Sequence, residues 1–272
     1  MKKTTDFRNY QSSSSSIIEK IKENYYKMRT KQTLSHVHTL EKKYLVFNKH
    51  LNIWDVLESL NNFVDISDPD INLPNLHHLF QTAEAIRKDG HPDWFQLVGL
   101  IHDMGKIIYR WGNDNDGTSI KEQWSIVGDT FLVGCKLPDT CVYPEFNQDN
   151  PDMSNPKYNT PMGIYTQNCG LSNTKISFGH DEYLFQMLKY NEATIPVEGM
   201  YMIRYHSLYP WHKENEYQEI CDNKDFEMLP WVKLFNKYDL YTKCETQYSI
   251  EELKDYYTPI IKKYLNKLEL YF

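Results

Sequence analysis

The sequence predicts an all-α fold. One helical domain spans residues 17–272, with a long irregular lid region inside it, behind a flexible arm at residues 1–16. Three observations predict this. Apolar residues recur at helical spacing through most of the chain, as they do in helices with one buried face. Between residues 112 and 178 that period dissolves into Gly, Asn, Asp and Pro, and so long an irregular stretch in a compact chain is usually a lid or binding loop. No internal repeat and no linker divides the remainder.

The polar start ends in QSSSSS, which reads as the arm. Ser16, followed three residues later by Glu19, has the form of a capping box. Ile18, Ile21, Tyr25, Met28, Val37, Leu40 and Tyr44 then place one long helix, or two in series, up to about residue 48. A shorter helix fits Ile53–Phe63, with Trp54, Leu57 and Leu60 on one side. The segment DISDPDINLPN is a loop, and it lacks the Gly and terminal Glu of a calcium-binding loop. Further helices fit Leu76–Lys88, Asp93–Tyr109, Asp181–Lys189, Val197–Leu208, Asp225–Lys243 and Ile250–Lys267. Within the irregular region, short strands are expected at most around Ser125–Val133.

The chain's 272 residues suffice for a real core, and 21 Tyr, 12 Phe and 6 Trp favour a packed globule over disorder. A formal net charge of −7 argues against a nucleic-acid partner, which a basic field would attract. No apolar run is long enough to cross a bilayer and no signal peptide opens the chain, so no membrane partner and a cytoplasmic setting are expected. Five scattered cysteines without a CxxC read as reduced thiols; a Cys135–Cys141 redox pair carries little weight.

Four apolar helical segments carry metal-ligand residues: NLHHLFQTAE, GLIHDMGK, FGHDEYLFQ and IRYHSLYPWH. A fifth, WVKLFNKYDLYTK, adds Asp239. Imidazole and carboxylate without thiolate suit iron, manganese or zinc. Adjacent helix residues point about 100° apart. His102 and Asp103 therefore both reach metal most easily if the carboxylate lies between two ions. Lys106 follows on the same side, suited to a substrate oxygen. Asp239 and Lys243 repeat that spacing. Any one of these histidines alone is more often a satisfied core residue; the argument rests on the set. His36, His38, His50, His91 and His212 read as ordinary. Spacing leaves His77 and His78 equivalent.

The blocks HHLFQTAEAIRK, HPDWFQLVGLIHDMGK, VGDTFLVGC, GHDEYLFQMLK, MIRYHSLYPWH and MLPWVKLFNKYDLYTKC closely resemble the myo-inositol oxygenase family, a branch of the HD-domain superfamily. The resemblance runs from FRNY at residue 7 almost to the C-terminus. It implies a single HD-type helical domain around a diiron centre. One iron would be held by His78, His102, Asp103 and Asp239, and the second by His180, His206 and Asp103 as bridge. The resemblance also selects His78 over His77 and leaves Asp181 outside the set. Substrate-contacting positions would fall on Arg8, Asp65, Lys106, Gly128, Asp129, His206, Ser207 and Lys243, with the N-terminal arm closing over the substrate. The segment NDNDGTSIKEQWSI at 113–126 is longer and more polar than the family usually has.

The resemblance further implies O₂-dependent ring cleavage of myo-inositol to D-glucuronate at a mixed-valence Fe(II)/Fe(III) pair, by a monomer. Lys106 and Asp103 would be catalytic: Lys106 would stabilise an alkoxide, and Asp65, Asp129 and Lys243 would hydrogen-bond other hydroxyls. The rival within the superfamily is a metal-dependent phosphohydrolase, which wants more cations near the metals than two lysines and Arg8 set among aspartates.

Overall fold

The computed structural model describes residues 15–69, 73–241 and 248–272. Arg8, Lys243 and nearly all of the predicted arm lie outside them. The chain is all-α, with ten α-helices among the described residues and one two-stranded ribbon. In order these are α1 (Ser15–Lys31), α2 (Leu34–Tyr44), β1 (His50–Asn52), α3 (Ile53–Ser59), α4 (Asn75–Lys88), α5 (Asp93–Ile101), α6 (His180–Tyr190), α7 (Val197–Tyr205), α8 (Tyr209–His212), α9 (Asn223–Tyr241), α10 (Ile250–Leu265) and β2 (Glu269–Tyr271).

Local chemistry explains the boundaries. Of the two expected alternatives, two helices in series form, because Thr33 accepts the His36 N–H as the N-cap of α2. Ser16 lies inside α1 instead of capping it. A capping box does form at Ser249 and Glu252, where α10 begins. Pro74, Pro92 and Pro196 stand immediately before α4, α5 and α7, where a fixed φ costs no intrahelical hydrogen bond. Strands β1 and β2 pair antiparallel, with Leu51 opposite Leu270. Three-residue strands are too short to carry a readable alternation. The strands expected near Ser125–Val133 reduce to a single bridge, Leu132 to Ile176.

Helix α4 packs along α5, α5 also meets α7 and α10, and α9 closes on α4 and α7. One large apolar cluster fills this bundle, and a smaller one, around Tyr205, Leu208 and Trp211, sits beside it. The irregular region is short 3₁₀ turns and loops held down by buried polar groups of α1 and its exit. Arg29 donates to the carbonyls of Asp129 and Val142, and Gln32 bonds Trp124 and both backbone groups of Phe178. These bonds seat the segments that carry Asp129 and His180. Cys135, Cys141, Cys169 and Cys221 are free, and burial pushes the Cys135 thiol up to about 12, which makes it unreactive.

Candidate metal centre

The predicted helix Asp93–Tyr109 is broken where the chemistry lies. α5 ends at Ile101, Asp103 sits at φ −94°, ψ 0°, and a 3₁₀ helix follows over Met104–Arg110. That bridge conformation and the tighter turn after it redirect Asp103 and Lys106 relative to an unbroken α-helix. Gly105 makes the break possible, because a Cβ there would overlap the carbonyl oxygen of His180. The absence of a side chain lets this turn press against the start of α6.

Two donor groups result. In the first, His78 Nε2 lies 2.9 Å from Asp239 Oδ1, and His102 Nε2 lies 3.3 Å from the same oxygen. In the second, His180 and His206 meet Nε2 to Nε2 at 3.1 Å. Asp103 stands between them. Its Oδ2 is 3.9 Å from His78 and 3.7 Å from His102, while its Oδ1 is 3.0 Å from His180 and 3.8 Å from His206. α4 supplies His78, the end of α5 His102 and Asp103, α6 His180, the residue after α7 His206, and α9 Asp239.

The tautomers are set from outside the cluster. His102 Nδ1 donates to Gly99 O at 2.9 Å, His180 Nδ1 to Ile126 O at 2.6 Å, and His206 Nδ1 to Ile203 O at 3.0 Å. A carbonyl can only accept, so each Nδ1 carries a hydrogen and each Nε2 faces inward, free to hold a cation once it is without a proton, the arrangement of metal-ligating histidines. Facing nitrogens and a concentration of aspartates call for positive charge. Burial opposes protonation of His206, but Asp181, Asp103 and Asp239 outweigh it and raise the imidazole to about 9. Burial would raise Asp103 and Asp239, yet Lys106 with His102, His180 and His206 holds Asp103, and His102 with His78 holds Asp239, well below the usual carboxylate range. Ionised carboxylates around inward-facing nitrogen donors fit bound metal ions.

A cavity opens beside the cluster, lined by Asp65, Lys106, Gly128, Asp129 and Ser207, with His78, Asp103, His180, His206 and Asp239 at its base. Lys106 is buried and its Nζ donates to Asp103 Oδ2 and Asp65 Oδ2, each at 2.8 Å. Burial disfavours its charge, but the two carboxylates more than compensate and push its pKa up. Asp65 is the mirror case: burial raises it, and Lys106 brings it below the ordinary value. Asp129 Oδ1 accepts from Tyr25 Oη at 3.2 Å. Every predicted site residue that falls within the described residues therefore lies in the cluster or its cavity.

Asp181, which the resemblance left outside the ligand set, and Asn75, which the sequence reading passed over, also enter. Asp181 Oδ1 lies 3.1 Å from both His180 and His206 Nε2 and accepts from Ser207 Oγ at 2.9 Å. Asn75 Nδ2 donates to Asp103 Oδ2 at 2.7 Å. Its position three residues before His78, on the same face of α4, is a signal that could have found it. His77 instead lines an opening between α4 and the start of α10. His36 approaches Ser125, His91 bonds Tyr238, and His212 bonds the His206 carbonyl.

The amino-acid sequence has close relatives. The family model described as myo-inositol oxygenase matches residues 18–272. The inositol oxygenase of Mus musculus is 46% identical over 269 residues, covering 97% of this chain and 90% of that protein. That of Danio rerio is 46% identical over 270 residues, with 97% and 92% covered. Inositol oxygenase 1 of Arabidopsis thaliana is 44% identical over 238 residues, with 86% and 74% covered. The chain belongs to the myo-inositol oxygenase family.

Proposed function

We propose that this chain is an inositol oxygenase that cleaves the ring of myo-inositol with O₂ to give D-glucuronate at a pair of iron ions. One oxygen atom enters the product and the other leaves as water. The observation that carries this reading is the bridging position of Asp103, between two imidazole groups and against the only lysine or arginine among the described cavity residues. His78, His102, Asp103 and Asp239 would hold one iron, and Asp103, His180 and His206 the other. Iron ions bound there supply Lewis acidity and the redox capacity for O₂ chemistry.

The protein's own groups bind and orient the polyol. Lys106 holds a fixed positive charge at the cavity wall, where it stabilises negative charge on a substrate oxygen as its proton leaves. Asp65 and Asp129 accept from neighbouring hydroxyls, and Ser207 can do so or donate. An analogue lacking one hydroxyl would leave a buried partner unsatisfied, so the site selects a full set of hydroxyls. An acid-rich lining suits a neutral polyol better than a phosphate ester. Arg8 and Lys243 would complete the substrate contacts, with the arm at 1–16 ordering over a single catalytic domain at 17–272. Scattered thiols suit a reducing cytoplasm, and among the described residues no helix is long and apolar enough to cross a membrane.

The test is O₂ uptake by iron-loaded, partly reduced protein given myo-inositol, with glucuronate assayed alongside and a panel of phosphate esters as control. One glucuronate per O₂ is expected. Phosphate release without O₂ uptake would make the protein a hydrolase on the same scaffold.

A further inference from the structure

We infer that Gln123 is a positioning residue that fixes the Asp65 wall of the cavity against the wall carrying His180 and Asp129; this rests on reading the cavity as a polyol site. Gln123 lies in the polar 113–126 segment yet is only 2% exposed. Its Oε1 accepts from Ile66 N at 3.2 Å, and its Nε2 donates to Val64 O at 3.0 Å and Ile120 O at 3.1 Å. Val64 and Ile66 flank Asp65, so one amide grips the peptide groups on both sides of the residue that meets Lys106. Residues 63–67 belong to no helix or strand that would otherwise hold them. Ser67 restrains the Asp65 carboxylate through Oγ at 2.6 Å and N at 2.8 Å, but those bonds travel with the segment.

The main chain of Gln123 serves the opposite wall. Its carbonyl accepts from Ile126 N at 2.8 Å and Val127 N at 3.0 Å, which forms the turn leading into Gly128 and Asp129. That turn aims the Ile126 carbonyl at His180, taking its N at 3.0 Å and its Nδ1 at 2.6 Å. The two roles are separable: a substitution removes the side-chain grip on 64–66 and leaves the turn, which needs only the backbone.

The test is Gln123→Met, of similar length but without the amide, in the full iron-loaded chain. KM for myo-inositol should rise about ten-fold with kcat within about three-fold, as expected for losing hydrogen bonds that place one substrate contact. Iron content should stay at the wild-type level. Hydrogen exchange should accelerate at residues 64–67 and stay unchanged at 126–131. Gln123→Glu, which keeps the acceptor for Ile66 but loses both donors, should fall between, and it carries the test if the Met variant does not fold. An unchanged KM, or loss of iron together with kcat, overturns the assignment. If wild-type protein consumes no O₂ with myo-inositol, the substrate reading fails, and the exchange pattern still decides whether Gln123 holds the wall.

Discussion

Lys106 Nζ lies 2.8 Å from Asp103 Oδ2, so the carboxylate between the two imidazole groups is also the partner of the cavity's buried cation. Both side chains are only 5% exposed, and neither charge has water to fall back on. In Lys106→Ala the metal ions take over compensation of Asp103. The variant should keep its iron, yet lose turnover by about 10²-fold or more, because charge on the substrate oxygen goes unmet. Without metal the same change should cost about 3–5 kcal/mol, read from urea unfolding.

The same pair governs acid behaviour. Asp65 sits below its ordinary carboxyl value of 3.8 because Lys106 outweighs burial. Its contribution to stability is complete above that value and is lost as pH falls through the lowered folded one. Lys106 is raised above 10.5, so its own contribution persists into strong alkali. Followed by circular dichroism, metal-free wild type should therefore lose the stability that Asp65 supplies only below about pH 4. Lys106→Ala should begin to do so at higher pH, and an unchanged acid midpoint would mean that the lysine does not hold Asp65 ionised.

Asp103→Ala removes the carboxylate whose two oxygens face the two donor groups. Iron per chain should fall from two toward zero and activity should go with it. Retention of two irons would show that the groups bind independently and that Asp103 is not the bridge.

Much of this was legible because metal ligands leave a contradiction in the sequence: His102, Asp103, His180 and Asp239 are polar or ionisable residues at helical positions that should be apolar. Periodicity also placed the main helices. What it could not supply was the break after Ile101, because GLIHDMGKIIYR keeps its apolar spacing across an α-to-3₁₀ change, and the deciding contact, Gly105 against the His180 carbonyl, joins residues far apart in the chain. Asp181 stayed outside the ligand set on the family resemblance alone, and only the fold brings Ser207 to its carboxylate. Gln123 gave no signal, since a glutamine in a polar loop reads as solvated.

Gly105 gives a second metal prediction that does not touch a ligand. An alanine at 105 would overlap the backbone carbonyl of His180, and backbone cannot swing aside as a flexible side chain can. Either the 3₁₀ turn or the start of α6 must move, which separates Asp103 Oδ1 from His180 Nε2, now 3.0 Å apart. Iron bound by His180 and His206 should be lost first. Titration of the metal-free variant with Fe(II) should then show one tight equivalent where wild type shows two; two tight equivalents would mean the turn accommodates the methyl without moving His180.

Glu182 and Arg204 extend this logic to the helices themselves. Glu182 lies two residues after His180 on α6, and Arg204 two residues before His206 on α7. The pair joins through Nε to Oε2 at 2.7 Å and Nη2 to Oε1 at 3.3 Å, with the guanidinium 4.6 Å from the Phe185 ring centre. A buried ion pair often adds little net stability over apolar residues, whereas removing one partner strands the other charge. Arg204→Met alone should thus cost about 3–5 kcal/mol in urea unfolding, and Glu182→Leu combined with Arg204→Met should recover most of that loss. Stability and registration then part company. If the ion pair sets how α6 and α7 present their histidines, the double variant will fold well and still bind its second iron weakly. Full iron binding by a stable double variant would assign that registration to apolar packing between the two helices instead.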